Sequence, residues 1–129
     1  MKFRIYYEDT DAGGVVYHSK YLNFCERARS ELFFEKYPHI FNSSTGHFLL
    51  AKAKCNFLKP AKLGDKLEIK NTLLQVKNAS VLVKQEIFRD DEKLFSSDFT
   101  LVYVKDEKAT PMSKELKSIF CEIFNSPQS

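Results

Sequence analysis

One segment, residues 16–36, combines the absence of glycine and proline with apolar residues at helical spacing. Its apolar positions recur every three or four residues, and Cys25 widens the stripe that they form. They are Tyr17, Tyr21, Phe24, Ala28 and Leu32. This spacing predicts one helix of about 20 residues, about 30 Å long, which ends at Pro38.

Most of the remaining chain alternates apolar and polar residues, which is typical of strands. A first strand is predicted up to about Glu8, and four more strands follow the long helix. A polar loop at residues 42–46 connects the helix to the second strand. Turns at residues 78–80 and 89–92 predict that the later strands are joined as hairpins.

After Pro111, Ser113 is expected to cap a short C-terminal helix. The element order predicts an α+β fold, in which a curved five-stranded antiparallel sheet wraps around one long central helix. The length suits a single domain over residues 1–129. Such a sheet leaves edge strands and apolar surface uncovered, so we expect at least a homodimer.

The charge balance argues against a nucleic-acid partner. Twenty Lys and Arg residues against seventeen Asp and Glu residues leave a formal net charge of +3. This excess is too small for a dedicated nucleic-acid surface. The 12 Phe and 6 Tyr residues fall at core spacing, which does not favour base stacking.

Three cysteines, Cys25, Cys55 and Cys121, are odd in number and far apart. They form no disulfide framework, and no set of His, Cys and carboxylates shows a metal-binding spacing, so we expect no metal; we also predict no cofactor. The N-terminus becomes acidic before an apolar stretch of signal-peptide length develops, and no later run is long enough to span a bilayer. These features predict a cytoplasmic protein without a membrane span.

Residues 7–21 place carboxylates and two glycines directly before the long helix. The unpaired amides and the positive dipole end of a helix start favour an oxygen that gains negative charge. Gly13 and Gly14 allow a ligand to approach the backbone closely, and Asp11 lies a few residues away. An aspartate before a helix is most often only a cap, and a lone histidine such as His18 is commonly structural. The spacing alone therefore leaves structural and catalytic roles open.

The run from Tyr7 to Arg29 has the pattern Tyr-x-Asp-Thr-Asp-x-x-Gly-x-Val-Tyr-His-x-x-Tyr-x-x-x-x-Glu-x-Ala-Arg. It resembles the signature of hotdog-fold thioesterases of the 4-hydroxybenzoyl-CoA thioesterase superfamily, YbgC branch. Residues 57–65 resemble the connection between strands in that family. The resemblance implies a hotdog fold, hydrolysis of the thioester of acyl-CoA or acyl carrier protein, and a role in lipid metabolism. It also implies active sites between the subunits of a homodimer or homotetramer.

By resemblance, Asp11 is the catalytic carboxylate, acting as a nucleophile through an acyl anhydride or as a general base for water. The backbone amide of His18 is expected to face the thioester carbonyl, and its side chain to orient water or the leaving group. The backbone at Gly14 and Tyr17 belongs to the same candidate oxyanion region. Tyr17 and Tyr21 side chains are expected to pack. Glu8 and Asp9 are weaker candidates for the carboxylate, because neither is the second aspartate of the motif.

The candidate substrate-binding residues come from this turn and from two later loops. They are Tyr7, Gly13, Asn56, Phe57, Lys59, Lys62 and Arg89. The three cations are candidates for the phosphates of coenzyme A, which favour Lys or Arg at a pocket mouth. Residues 56–60 are expected to complete a pocket begun by Asp11 of the partner subunit.

Two other functions are compatible with these residues. The domain could hold acyl carriers or partner proteins without turnover, as a binding or scaffold protein with the same dimeric pocket. A hydratase of the same fold would need a histidine and a carboxylate placed for proton abstraction beside the acyl chain. His18 lies seven residues from Asp11 in a different kind of motif, which disfavours the hydratase.

Overall fold

The computed structural model describes residues 1–38 and 46–125. The predicted polar loop therefore lies outside the described residues, except for Gly46. The described elements are β1 (Lys2–Arg4), α1 (His18–Lys36), β2 (His47–Phe57), β3 (Lys66–Val76), β4 (Ser80–Arg89), β5 (Glu92–Lys105), β6 (Lys108–Ala109) and α2 (Lys114–Asn125).

The strands form one antiparallel sheet in the order β1-β3-β4-β5-β2, and the two-residue β6 pairs with β5. Both predicted hairpins, β3–β4 and β4–β5, are present. The first strand returns to the sheet beside β3, as expected. The α+β hotdog arrangement is confirmed, with the short β6 as a sixth strand that the sequence pattern did not predict.

The predicted end of the first strand near Glu8 was wrong. β1 ends at Arg4, and Tyr7–Asp9 form a single 3-10 turn. The backbone of Ile5 is held by the β2–β3 connection, because its N–H donates to the Asp65 carbonyl at 2.9 Å and its carbonyl accepts from the Gly64 N–H at 3.0 Å. The chain then turns, since Asp9 Oδ2 accepts the Tyr6 N–H at 3.0 Å.

The long helix begins at His18, two residues later than predicted. The amides of Val16 and Tyr17 donate to the carbonyls of Ala61 and Asp9, at 3.0 and 3.2 Å, and so belong to loop contacts. On the core side, Tyr21, Phe24, Cys25 and Ala28 are buried as the stripe predicts. Tyr17 is 50% exposed and does not join the core.

The core lies between α1 and the inner face of β3, β4 and β5. Ile69, Val83, Ile87, Phe95 and Phe99 are each at most 1% exposed there. Helix α2 covers one end of this core with buried apolar side chains at helical spacing: Phe120, Ile123 and Phe124. As predicted, Ser113 caps α2, since its Oγ accepts the Leu116 N–H at 3.1 Å.

Strand β2 lies at an edge of the sheet and pairs only with β5 in the described structure. Most of its residues are exposed on both faces. Leu49 and Leu50 are 50% and 43% exposed, and Phe57 is 46% exposed. An 11-residue edge with exposed apolar side chains is a template for pairing with another strand.

No helix within residues 1–38 and 46–125 is long and apolar enough to cross a membrane.

Candidate active site

A short hairpin carries Asp11. Thr10 and Val16 form an antiparallel bridge, and the Asp11 N–H donates to the Val15 carbonyl at 2.9 Å. The turn is closed by the Gly14 N–H, which donates to the Asp11 carbonyl at 3.0 Å. Gly14 adopts a positive φ of 79°, a conformation that favours glycine.

The Asp11 carboxylate is exposed and has one oxygen engaged by the backbone. Oδ1 accepts the Gly13 N–H at 2.8 Å and the Val15 N–H at 3.2 Å. A Cβ on Gly13 would lie 3.3 Å from this oxygen, which is a tight contact. Among residues 1–38 and 46–125, Oδ2 has no hydrogen-bond donor. The backbone therefore orients the carboxylate while leaving one oxygen available to a substrate.

The first turn of α1 supplies free amides. Within the described residues, the N–H groups of His18 and Ser19 have no acceptor, as is normal for the start of a helix. The amides of Gly14 and Tyr17, also candidates from the sequence, already donate to the carbonyls of Asp11 and Asp9. Of the predicted oxyanion donors, the His18 amide is therefore the available one. The Ser19 amide was not singled out from the sequence, although a helix-start argument applies to it equally.

Asp9 holds the hairpin against α1. Its side chain is only 8% exposed; Oδ2 accepts the Tyr6 N–H, and Oδ1 lies 3.6 Å from Lys20 Nζ. Its carbonyl accepts the Tyr17 N–H at 3.2 Å. These contacts fully occupy Asp9 in positioning the loop. The neighbouring Glu8 is exposed.

The β2–β3 connection packs beside the hairpin in the same chain. The backbones of Lys62 and Val15 form an isolated antiparallel β-bridge, and the Leu63 N–H donates to the Gly14 carbonyl at 2.9 Å. The Tyr21 hydroxyl accepts the Ala61 N–H at 3.0 Å. Burial raises the pKa of the Tyr21 phenol, so the group is a neutral packing residue at physiological pH. This connection fixes the position of the Asp11 turn relative to the sheet.

The His18 ring lies on the Phe57 ring, with centroids 4.6 Å apart. Phe57 also contacts Tyr21 and Phe95, at centroid distances of 5.5 and 5.1 Å. The structure thus brings His18 and Phe57 together at the end of β2. Two further candidates remain at the surface: Tyr7 is 82% exposed, and Asn56 is an exposed β2 residue opposite Ser96.

Two of the three candidate phosphate-binding cations have carboxylate partners. Arg89 pairs with Asp65 and Glu92, and Lys59 pairs with the same Glu92. The hydrogen bonds that Arg89 donates to Asp65 and Glu92 raise the pKa of Arg89, and those that Glu92 accepts from Lys59 and Arg89 lower the pKa of Glu92. Within residues 1–38 and 46–125, Lys62 has no ion pair. Lys62 is therefore the candidate cation with an uncommitted charge next to the Asp11 hairpin.

Three grooves on the described surface lie away from Asp11, since none is lined by the hairpin or by residues 56–65. One of them runs between α1 and β2 and has a volume of ≈ 510 Å³. No group of three or more His, Cys, Asp or Glu side chains within the described ranges could hold a metal ion.

Comparison with known proteins shows the same family over most of the chain. Residues 13–96 match the model of the thioesterase superfamily. The acyl-CoA thioesterase YbgC of Helicobacter pylori is 36% identical over 135 aligned positions, covering 98% of this chain and 99% of the relative. The acyl-CoA thioester hydrolase YbgC of Escherichia coli O157:H7 is 34% identical, covering 92% and 90%. A probable thioesterase structure from Bartonella henselae superimposes with a TM-score of 0.77 at 29% identity, covering 88% and 96%.

Proposed function

The chain belongs to the thioesterase superfamily, and we propose on this basis that it hydrolyses acyl-CoA thioesters to a free acid and a thiol, with Asp11 as the catalytic carboxylate. The observation that carries the role of Asp11 is its exposed carboxylate, which has one free oxygen. The hairpin that holds it leads within a few residues to the free amides of His18 and Ser19. A nucleophile or base and an oxyanion site can therefore act on one carbonyl group.

Two reaction routes use this geometry. In the first, Asp11 Oδ2 attacks the thioester carbonyl carbon, the C–S bond breaks and the thiol departs. The acyl group remains on Asp11 as a mixed anhydride, which water then hydrolyses. In the second, Oδ2 takes a proton from a water molecule whose oxygen attacks the same carbon; the C–S bond then breaks, and the leaving thiolate takes up the proton from Asp11. In both routes the carbonyl oxygen becomes negative, and the first-turn amides and helix dipole of α1 stabilise it. The exposed His18 side chain can orient water or the leaving thiol.

A hydrolysis assay tests the function directly. A panel of aliphatic and aromatic acyl-CoAs is incubated with the protein, and release of the free thiol is followed with Ellman's reagent. We expect thiol release from at least one class of acyl group. Tight acyl-CoA binding without thiol release would instead favour the non-catalytic binding protein, and addition of water to an enoyl-CoA would favour a hydratase.

We propose that Lys62 contacts a phosphate of coenzyme A. The residue bridges Val15 next to the Asp11 hairpin, and its charge has no partner within the described residues. Lys62→Gln should raise KM for acyl-CoA by about 2- to 5-fold, as expected for an exposed ion pair of up to about 1 kcal/mol. Because the reacting atoms are untouched, kcat should not change. Steady-state kinetics measures both constants.

The matched control for this prediction is Lys108→Gln, which removes an exposed charge on β6. The matched substrate is the same acyl group on pantetheine, which lacks the nucleotide phosphates. The KM of Lys62→Gln for the pantetheine thioester should equal that of the unmodified protein. An equal rise in KM for both thioesters would show that Lys62 does not act on a phosphate.

We propose that the functional unit is a dimer formed through the β2 edge, with a tetramer as a possible assembly of two such dimers. The apolar edge strand supports pairing, since Leu49, Leu50 and Phe57 are exposed in the single chain. The position of Asp11 supports it too, because none of the three described grooves encloses this carboxylate. A second subunit would supply the missing wall of the site.

A cytoplasmic location fits the three cysteines, which are all free thiols.

A further inference from the structure

The groove between α1 and β2 has mostly apolar walls. On the helix side it is lined by Leu22, Phe33 and Phe34, and on the strand side by Phe48, Leu49 and Leu50. Its volume of ≈ 510 Å³ is within the usual range for a small-molecule pocket. Arg29 lies among these apolar residues and also lines the groove.

Arg29 is a half-buried cation that forms no close ion pair among the described residues, although the nearby Glu26 carboxylate acts to raise its pKa. One terminal nitrogen donates to Gln85 Oε1 at 2.8 Å, and the guanidinium carbon lies 4.9 Å from the centroid of the Phe99 ring. Gln85 is fully buried and is fixed by bonds to the Cys25 carbonyl at 2.9 Å and to Asn71 Oδ1 at 2.7 Å. Within residues 1–38 and 46–125, no carboxylate oxygen lies within 4.0 Å of the Arg29 guanidinium.

Among the described residues, the remaining donors of Arg29 are not fully buried. A guanidinium has five N–H donors, and one hydrogen bond from Arg29 is present among the described residues. Every fully buried side-chain nitrogen or oxygen in the described structure has a partner. The other Arg29 nitrogens therefore have accessible surface, and the groove is the space that Arg29 lines. Burial lowers the pKa of Arg29, but a guanidinium remains protonated at neutral pH.

The β2 edge connects this groove to the catalytic turn. His18 lies on Phe57 at one end of β2, whereas residues 47–50 line the groove at the other end. In a two-fold dimer that pairs β2 antiparallel with its copy, the Phe57 end of one subunit meets the His47 end of the other. A pairing centred on the middle of β2 would bring the groove of one subunit towards the Phe57 and His18 end of the second.

We propose that Arg29 makes this groove a site for acyl groups that end in a carboxylate, so that the enzyme prefers dicarboxylic acid monothioesters of coenzyme A. This inference rests on the proposed thioesterase function and on its dimer. The apolar walls accommodate the methylene chain, and the oriented guanidinium binds the terminal carboxylate through charge-assisted hydrogen bonds. Glu26 also lines the groove and acts electrostatically on Arg29, but its side chain is exposed, its Oε1 accepts the Ser30 hydroxyl at 3.3 Å, and it forms no ion pair with the guanidinium within 4.0 Å.

The test compares matched thioesters that differ only at the far end. Adipoyl-, suberoyl- and sebacoyl-CoA are paired with hexanoyl-, octanoyl- and decanoyl-CoA, and kcat/KM is measured for each. The unmodified protein should favour at least one dicarboxylic member over its aliphatic partner by about 10-fold or more. Arg29→Gln should lower kcat/KM for that dicarboxylic member by about 10- to 100-fold, which corresponds to the loss of a hydrogen bond to a charged group. Arg29→Lys should retain part of the preference.

The ratio within each pair separates recognition from folding damage, because a loss of structure lowers both members equally. The proposal would be overturned if Arg29→Gln lowered kcat/KM equally for both members of a pair. It would also be overturned if the unmodified protein hydrolysed both members equally, as expected where a carboxylate of the partner subunit neutralises Arg29. Calorimetric titration of the Asp11→Asn protein with suberoyl- and octanoyl-CoA provides a readout without turnover. If suberoyl-CoA bound more tightly than octanoyl-CoA but the unmodified protein hydrolysed neither, the enzymatic function would be refuted and the carboxylate-binding site would still be supported.

Discussion

Replacing Asp11 by Asn is expected to lower kcat for acyl-CoA hydrolysis by about 100- to 10,000-fold, the range over which a positioned acid, base or nucleophile contributes. The substitution removes the negative charge and the basicity of Oδ2, which is the free oxygen of the carboxylate. Neither the nucleophilic route nor the general-base route can proceed from a neutral amide. The rate of thiol release under saturating substrate is the measurement.

The fold should survive this substitution. The Oδ1 of an asparagine can accept the same hydrogen bonds from Gly13 and Val15, and the side chain is exposed. The midpoint of thermal unfolding should therefore change little. Asp11→Ala removes the oxygen that accepts both of these hydrogen bonds and should also reduce the free energy of unfolding by about 1–2 kcal/mol.

Asp91→Asn is the matched control, because it removes an exposed aspartate from the β4–β5 turn. It should retain full activity. If Asp11→Asn hydrolysed acyl-CoA as fast as Asp91→Asn, the carboxylate would be a turn-stabilising residue only, and the oxyanion site at α1 would have to act with another base.

The fold was predictable where local chemistry determines it. Apolar residues at helical spacing identified α1, and short polar turns identified the β3–β4 and β4–β5 hairpins. The Asp11 turn was equally local, because an aspartate followed by two glycines provides both the acceptor and the positive φ that the turn uses. The outward position of the Asp11 carboxylate agrees with the catalytic interpretation.

Residues distant in sequence determine what local chemistry could not predict. β1 is short because Ile5 pairs with the 64–65 loop, and α1 starts late because Val16 pairs with Ala61. Lys59 forms an ion pair with Glu92, which lies 33 residues later at the start of β5.

The position of the Arg29 guanidinium could not be predicted from the sequence either. In sequence it follows the buried Ala28 and belongs to a family signature, but nothing local indicates a half-buried guanidinium. Its partner Gln85 lies 56 residues later on β4. The groove is lined by residues of both α1 and β2, which the fold brings together. A cation at this place was therefore visible only in the structure.

Replacing Ala53 by Pro is expected to dissociate the β2-paired dimer and to remove most of the thioesterase activity. The Leu58 N–H donates to the Leu94 carbonyl, and donors alternate between the two sides of an antiparallel strand. Pairing is regular from Lys52 to Phe57, so the Ala53 N–H faces the open edge. Proline there keeps the bonds to β5 but removes one donor per subunit and places its ring in the interface.

The dimer dissociation constant should rise by about 10- to 100-fold or more, because two interface hydrogen bonds are lost in a two-fold pair. Light scattering after gel filtration measures the mass at each concentration, and circular dichroism checks the fold. Ala53→Val is the control, since it retains the N–H and suits a strand. If Ala53→Pro stayed dimeric with full thiol release, β2 would not be the interface. A folded monomer that retained full activity would show that the Asp11 site is complete within one chain, because loss of the partner would then remove nothing that catalysis needs.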